Sequence, residues 1–583
     1  MSIHSSVPAL IPSPKFYEQT GEYLFAANLV LDCDGPFLPQ IRALRDEINF
    51  SFGETVLSPQ SSAEEFAYFE KQTHEETPLW GANFRREAAP TIPIGLHRAD
   101  RAGWRKKAGP FLAVDMPGAY LLEISNSGVE MLIPVPEAAA VGDPTNTAAT
   151  RTDPAEPHPA EDAAAACATL MQLLHLGWDG WRFRLPICRI VDTPELPWRG
   201  LMVDSARHFV PVPELKKILS MAWLYKLNRF HWHLTDDQGW RLELLTLPEA
   251  TGSGSTRPGG DPNRNGFYTQ DEVRDLVSYG ADRGITIIPE LDLPGHVQAI
   301  LAGHGEFACE PGPHLVRTEW GISEDVLCMG NPAGLEFALK AWDEVCELFP
   351  GPYVHIGGDE VPTTRWEQCP KCAAKKAELG LAHWIDLHGH FVATVTEHLV
   401  KKGKIVFGWD EVLDSSIPNN AQVVHWRTWL PEQSPLALER GHYLIRSPYF
   451  PYYFDFVQTD DRHRSPGLAY RSPVAASLRR VYEYDPFEGL APEQEVPNGK
   501  PFSRTDRFLG IQANTWTEYI RDGRRLEYML FPRLLALAET AWNGRNRAPY
   551  KDFLSRLEAG HLGTGLGILA QRNINFCPSY EKD

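Results

Sequence analysis

A chain of 583 residues with 43% hydrophobic and 23% charged residues has the composition of a globular protein, which excludes bulk disorder and collagen-like repeats. At roughly 100–200 residues per domain, its length predicts two to four domains, a large α/β barrel among the possibilities. The formal charge of −20, from 56 Lys+Arg against 76 Asp+Glu, opposes a phosphate backbone or an anionic lipid surface, so neither nucleic acid nor membrane is an expected partner.

No apolar run reaches the ~18 residues of a transmembrane helix. Residues 1–15 carry neither a basic segment nor an apolar one of the secretory type, so the expectation is a cytoplasmic protein. Nine cysteines, an odd number spread over the whole chain, do not form a disulfide framework. Cys369-Pro370-Lys371-Cys372 has the spacing of half a zinc site, but no second Cys/His pair lies at finger-like spacing. The expectation is two reduced loop thiols and no metal. A Cys309–Cys328 bridge would make sense only in an exported protein.

In chain order, residues 1–195 read as a smaller α+β domain. Residues 119–134 alternate around Asn126-Ser127-Gly128, a strand–turn–strand signal. Residues 138–163, rich in Ala, Pro, Asp, Thr and Glu without periodicity, read as a mobile insertion, with a helix over 164–174. From 196 to 560, apolar runs at 201–203, 229–234, 285–291, 353–356, 405–409, 422–425, 443–445 and 508–512 alternate with helical patterns at 213–226, 271–283, 333–348, 383–402 and 524–542. Alternation of this kind implies parallel pairing with right-handed crossovers, and the count fits a (β/α)8 TIM-type barrel. Residues 251–266 and 484–505 read as long loops and 561–583 as a C-terminal tail.

In such a barrel the chemistry sits at the C-terminal ends of the strands. Polar residues recur there: Asp204 to His208, Thr235-Asp236-Asp237, Asp292 to His296, Gly357-Gly358-Asp359-Glu360, Trp409-Asp410-Glu411, Trp426-Arg427 and Trp516-Thr517-Glu518. Solvated loop charges would explain one or two of these, but not so many together. Neighbours on a regular strand face opposite ways, so Asp359 and Glu360 can share a site only if Gly357-Gly358 lets the backbone leave the strand before them. Paired carboxylates suit transfer of a glycosyl group to water. Trp409, Trp426 and Trp516 offer faces on which a pyranose stacks. Arg207 reads equally as an ion-pair partner of Asp236 or Asp237, and His231-x-His233 equally as a core face.

These motifs resemble glycoside hydrolase family 20, the β-N-acetylhexosaminidases. The resemblance runs through Asp204 to Phe209, His231 to Arg241, Asp292-x-Pro294-Gly295-His296 and His355 to Glu360, dense from about 197 to 542. Residues 1–195 resemble the family's accessory domain more loosely, through Thr169 to Leu174 and the run into Trp198-Arg199-Gly200, and the 138–163 insertion departs from it.

The resemblance implies that Glu360 is the acid and then the base, and that Asp359 holds the substrate's 2-acetamido N–H while the acetamido oxygen attacks the anomeric carbon. It implies that Arg207 and Glu518 bind sugar hydroxyls, and that Trp409, Trp426 and Trp516 wall the pocket. Tyr453 and Asp455 would contact the acetamido group and a hydroxyl, and His296 would support Glu360. No metal or cofactor is implied, and the partner is an amino-sugar glycan or oligosaccharide. The alternatives are a family member that releases a disaccharide, set apart by pocket depth, and a non-catalytic sugar-binding barrel that would lack the acid or the acetamido clamp. Oligomeric state, natural glycan and the choice between N-acetylglucosamine and N-acetylgalactosamine stay open.

Overall fold

The computed structural model describes residues 8–53, 91–99, 104, 107, 118–134, 154, 158–259, 265–415, 417–459, 474–490, 507–563 and 567–578. The expected insertion therefore lies mostly outside the described residues, as does the loop 484–505 from residue 491 onward.

The N-terminal unit is a six-stranded sheet in the order β1-β6-β4-β5-β3-β2. Its strands are β1 (Phe16–Ala26), β2 (Asn28–Cys33), β3 (Thr91–Ala99), β4 (Tyr120–Ser125), β5 (Gly128–Pro134) and β6 (Phe183–Asp192). The predicted hairpin is β4–β5, antiparallel with Leu121 opposite Leu132, turning at Asn126-Ser127. Helices α1 (Leu38–Phe52) and α2 (Pro159–Gly177) accompany this sheet.

The start of α2 corrects the sequence reading, which placed 159–163 in an insertion. His158 caps the helix through Ala160 N–H, Pro159 sits in its first turn, and Ala163 to His175 are all buried. A helix buried on every side has no polar face and so shows no 3.6-residue period. It lies between the sheet and the second unit, where Trp223 Nε1 donates to Ala164 O at 3.0 Å and Gln172 Nε2 to Leu224 O at 2.7 Å. The small side chains allow this close approach.

The second unit is a closed barrel of eight parallel strands in chain order: β7 (Trp198–Asp204), β8 (Arg229–His233), β9 (Thr286–Glu290), β10 (Tyr353–His355), β11 (Ile405–Trp409), β12 (Ala421–His425), β13 (Leu444–Arg446) and β14 (Phe508–Thr515). All eight fall on the apolar runs read from the sequence. Helices α3 (Val212–Leu224), α4 (Gln270–Asp282), α5 (Pro332–Leu348) and α6 (Asp386–Lys401) follow β7 to β10. A Thr269/Glu272 capping box starts α4 and an Asn331 cap starts α5.

Two further expectations change. The loop 251–266 begins inside a short helix, Pro248–Gly254. The single helix expected over 524–542 is two, α7 (Gly523–Leu530) and α8 (Arg533–Asn543), broken at Phe531-Pro532. Proline lacks the N–H and crowds the preceding turn, and the continuous apolar stripe concealed that break.

The barrel interior is layered. At the N-terminal end Trp198, Tyr353 and Phe407 pack ring to ring, with the Arg229 guanidinium over Trp198 and Tyr353. Two residues further along the same inward face the lining becomes polar, beginning with His231 and then His233, because side chains alternate along a strand. That gradient leads to the mouth.

Candidate active site

Asp359 and Glu360 follow β10 immediately, and the glycine hinge before them is real. Gly357 and Gly358 have φ of 68° and 90°, a region that glycine enters without penalty. A Cβ on Gly357 would stand 1.9 Å from Asp292 Oδ1, so the hinge also admits a close neighbour. Asp292 Oδ1 accepts from Gly358 N at 3.1 Å and holds the turn. Glu360 at φ 49° and His296 at φ 50° are non-glycine residues in the left-handed region, backbone strain of the sort found at functional sites.

The two carboxylates differ in access. The side chain of Glu360 is 34% exposed and that of Asp359 11%. His296 stands between them, Nε2 lying 3.7 Å from an oxygen of each, while its Nδ1 lies 3.3 Å from Asp236 Oδ1 and 3.7 Å from Asp237 Oδ2. Burial disfavours charge on His296, but Asp236, Asp292 and Asp359 outweigh it and hold the imidazolium well above its ordinary range. Burial, reinforced by Asp292 and opposed by His296, pushes Asp359 well above the usual carboxylate value. Asp292 is pushed up to about 7, chiefly by burial.

Arg207, in the loop after β7, is the ion-pair partner of Asp236 that the sequence offered as one reading. Its Nη2 pairs with Asp236 Oδ2 at 2.7 Å, its Nη1 lies 3.5 Å from Asp204, and its Nε donates to Gln238 Oε1 at 3.1 Å. The guanidinium also lies 4.9 Å from the Trp516 ring centroid. Asp204 fixes the loop itself, accepting from Ala206 N and Arg207 N on one oxygen and from Thr517 N and Oγ1 on the other. Thr517 in turn sets Trp516 and Glu518 on either side. Burial raises Glu518, with Arg207 pulling it back down. Its Oε2 and the Asp359 Oδ1 are buried atoms with no hydrogen-bond partner among the described residues, as acceptors awaiting a ligand would be.

The aromatic residues form one continuous wall. Trp409 and Trp516 have ring centroids 6.0 Å apart, Trp516 and Tyr453 6.1 Å, and Tyr453 and Trp426 6.0 Å with planes inclined by 21°. Trp426 is steered by Asp410, which accepts its backbone N–H at 3.0 Å, and by Glu411, which accepts its indole N–H at 3.0 Å. Tyr453 and Asp455 lie on the segment after β13, where Phe454 N donates to Asn514 O at 2.7 Å. Arg533 of α8 donates to the carbonyls of Phe454, Phe456 and Ala476 and clamps that segment from behind. All ten residues singled out from the sequence thus lie on the loops and strand ends of one barrel mouth.

The sequence reading missed the floor of the site. Glu290, at the end of β9, meets His233 Nδ1 on one oxygen, with His231 Nε2 at 3.0 Å, and accepts the Trp409 indole N–H at 2.8 Å on the other, 3.1 Å from His355 Nδ1, which itself accepts from Gly357 N. Several ligand-type triads occur among Glu290, Asp292, Asp236, His296 and these histidines, with Glu290 the counter-charge of His233, which it helps hold well above its ordinary value against burial. Histidine charge, outweighing burial, holds Glu290 well below the usual carboxylate range. The available signal was a lone acid inside the apolar run 285–291. Glu411, buried beside Trp426 and pushed well up by burial and then by Asp410 and Asp359, was equally visible as a strand-end acid but was given no role.

The family description "Glycosyl hydrolase family 20, catalytic domain" matches residues 196–545. A Beta-hexosaminidase of Porphyromonas gingivalis (strain ATCC BAA-308 / W83) is 38% identical over 376 residues, 64% of this chain and 46% of that protein. One from Vibrio furnissii is 37% identical over 386 residues, 64% of this chain and 61% of that protein. The chain thus spans about half to three-fifths of the length of these relatives. Among solved structures, the GH20 exo β-N-acetylglucosaminidase from Vibrio harveyi in complex with N-acetylglucosamine is 27% identical and superposes with a TM-score of 0.75, covering 99% of this chain and 79% of that one.

Proposed function

The chain belongs to glycosyl hydrolase family 20, and on that premise we propose that it is an exo-acting β-N-acetylhexosaminidase that removes terminal β-linked N-acetylglucosamine or N-acetylgalactosamine from the non-reducing ends of glycans. The observation that carries this reading is the split pair of carboxylates. Glu360 is the more exposed of the two, open to a leaving group and to water, whereas Asp359 is buried and its charge reaches Tyr453 of the aromatic wall.

Glu360 protonates the glycosidic oxygen while the substrate's own acetamido oxygen attacks the anomeric carbon. The C1–O bond breaks and a cyclic oxazolinium forms. Glu360, now a carboxylate, takes a proton from water, which opens the ring at C1 with net retention of configuration. The nucleophile belongs to the substrate, so no ester to the protein forms. Asp359 accepts the acetamido N–H and faces the positive charge that develops. A carboxylate that burial disfavours as an anion gains the most from an incoming cation, which is why a raised Asp359 suits the role. Arg207 and Glu518 hold sugar hydroxyls, and Trp409, Trp426, Trp516 and Tyr453 enclose the acetamido group and ring.

The test is a panel of aryl β-glycosides. N-acetylglucosaminide or N-acetylgalactosaminide should be hydrolysed at least about 10³-fold faster than glucoside, since the glucoside lacks both the nucleophile and the group that Asp359 orients. A glucoside rate within about tenfold would sink the proposal, as would a trapped sugar ester on any Asp or Glu during turnover. Preferred release of a disaccharide from a lacto-N-bioside would favour the disaccharide-releasing alternative.

A further inference from the structure

Outside this site, four of the nine cysteines converge on one point. Cys309 and Cys328 come from the long loop between β9 and α5. Cys369 and Cys372 come from the segment after Glu360, where Cys369 caps a helix over Pro370–Glu378 and Cys372 lies in its first turn. The sulfur separations are 3.7 Å for Cys309–Cys372, 3.7 Å for Cys328–Cys369 and 3.6 Å for Cys328–Cys372, and all four sulfurs lie within 4.8 Å of one another. A zinc ion with Zn–S bonds of ≈ 2.3 Å holds its tetrahedral ligands about 3.8 Å apart, so the spacing is that of a tetrathiolate cage.

The surroundings match as well. Cys328, Cys369 and Cys372 are buried, among Val326, Trp366 and Leu387. The Gly330 backbone favours the thiolate form of both Cys328 and Cys372, the form that ligates a metal. Gly330 is required there, since a Cβ would lie 2.1 Å from the Lys371 carbonyl carbon. The sequence reading set Cys369/Cys372 aside for want of a partner pair at finger-like spacing, whereas the fold supplies that pair from 41 and 63 residues away.

We propose that Cys309, Cys328, Cys369 and Cys372 bind one structural zinc ion that staples the loop after β9 to the segment after β10. The consequence reaches the active site by two short routes. Leu327 N donates to Pro294 O at 3.0 Å, two residues from His296, and Val361, next to Glu360, packs on the cysteine cluster. Four protein ligands close the coordination sphere, so the ion takes no part in hydrolysis.

The full-length protein, purified without chelator, should contain about one zinc per chain by elemental analysis. Replacing zinc by Co(II) should give the intense visible bands of tetrahedral thiolate ligation, and the four cysteines should resist alkylation until a chelator and denaturant are added together. Cys328→Ser should lose the zinc. If that variant does not fold, the Co(II) spectrum of the wild type decides alone. Zinc well below one per chain after reconstitution with zinc sulfate, a Co(II) complex without thiolate bands, or disulfides among these four residues in a peptide map would each overturn the proposal.

Discussion

At the scale of the residue, the difference in access between Glu360 and Asp359 leads to distinct substitution phenotypes. Glu360→Gln removes the proton donor but leaves the pocket intact. Cleavage of a natural disaccharide should fall by about 10²–10⁴-fold, and cleavage of an aryl glycoside with an activated leaving group should fall less, because that bond needs little protonation. Equal losses in the cleavage step would remove Glu360 from the role of acid. Asp359→Asn keeps the shape but loses the charge facing the oxazolinium, so kcat/KM should fall by about 10³-fold or more for both substrates alike.

His296 adds a pH signature. Its folded value lies well above the ordinary 6.5 because of Asp236, Asp292 and Asp359. The stability it contributes is therefore complete below pH 6.5 and is lost as pH rises through the folded value. The Tm gap between wild type and His296→Gln should thus be full below about pH 6.5 and shrink as pH rises through the raised folded value. A gap that widens on the alkaline side would contradict a charged His296. Asp236, held well below its ordinary 3.8 by Arg207 and His296 in spite of burial, behaves in the opposite sense: its contribution is present above 3.8 and is lost as pH falls through the depressed value.

At the scale of the element, the break at Pro532 matters because it aims Arg533. A continuous helix would have carried Arg533 elsewhere. With α8 restarting after the proline, its guanidinium reaches the carbonyls of Phe454, Phe456 and Ala476 across the barrel wall. The Phe454 and Phe456 carbonyls belong to the segment that presents Tyr453 and Asp455, and Ala476 N donates to Val457 O of that segment. Arg533→Met fills much the same volume but leaves buried acceptors unpaired, a penalty of about 1–3 kcal/mol per group. The expected outcome is a lower Tm together with a raised KM, since Tyr453 and Asp455 lose their backing. A variant with lowered Tm and unchanged KM would show that the clamp is structural only.

At the scale of the whole molecule, the two units and the C-terminal segment are tied by buried charge. Glu47 of α1 pairs with Arg283, just after α4, at 2.7 Å and with Arg572 at 2.5 Å, and all three side chains are almost wholly buried. The two arginines hold Glu47 below its usual range against the effect of burial. Near the other end of the interface, Asp192 of β6 accepts from Trp542 Nε1, Lys226 Nζ and Tyr120 OH, each at 2.9 Å. Glu47→Ala leaves two buried guanidinium groups uncompensated and should cost about 3–5 kcal/mol. It lies far from the barrel mouth in the chain of contacts, so thermal unfolding should move down while kcat/KM on an aryl N-acetylglucosaminide stays near the wild-type value. A collapse of kcat/KM in the folded variant would mean that the two units are coupled to catalysis.

The eight barrel strands, the hairpin β4–β5 and eight of the ten residues around the mouth were legible in the linear sequence because they depend on local regularities: apolar runs of strand length, glycine hinges, and polar residues placed just after those runs; Tyr453 and Asp455 came only with the resemblance to family 20. The remainder was decided by partners distant in the chain. The expected helix over 164–174 is α2, but its start at 159–163 was missed because sheet and barrel bury it and leave no polar face, and the stripe over 524–542 looked continuous because hydrophobicity does not register a missing N–H. Glu290 became a hub only when barrel closure placed His233 and His355 beside it on neighbouring strands. Cys309, Cys328, Cys369 and Cys372 likewise became one cluster only when adjacent strands brought their loops together. Spacing along a chain reports the contacts made within an element, whereas contacts between elements depend on strand order and register, which are fixed only when the whole barrel closes.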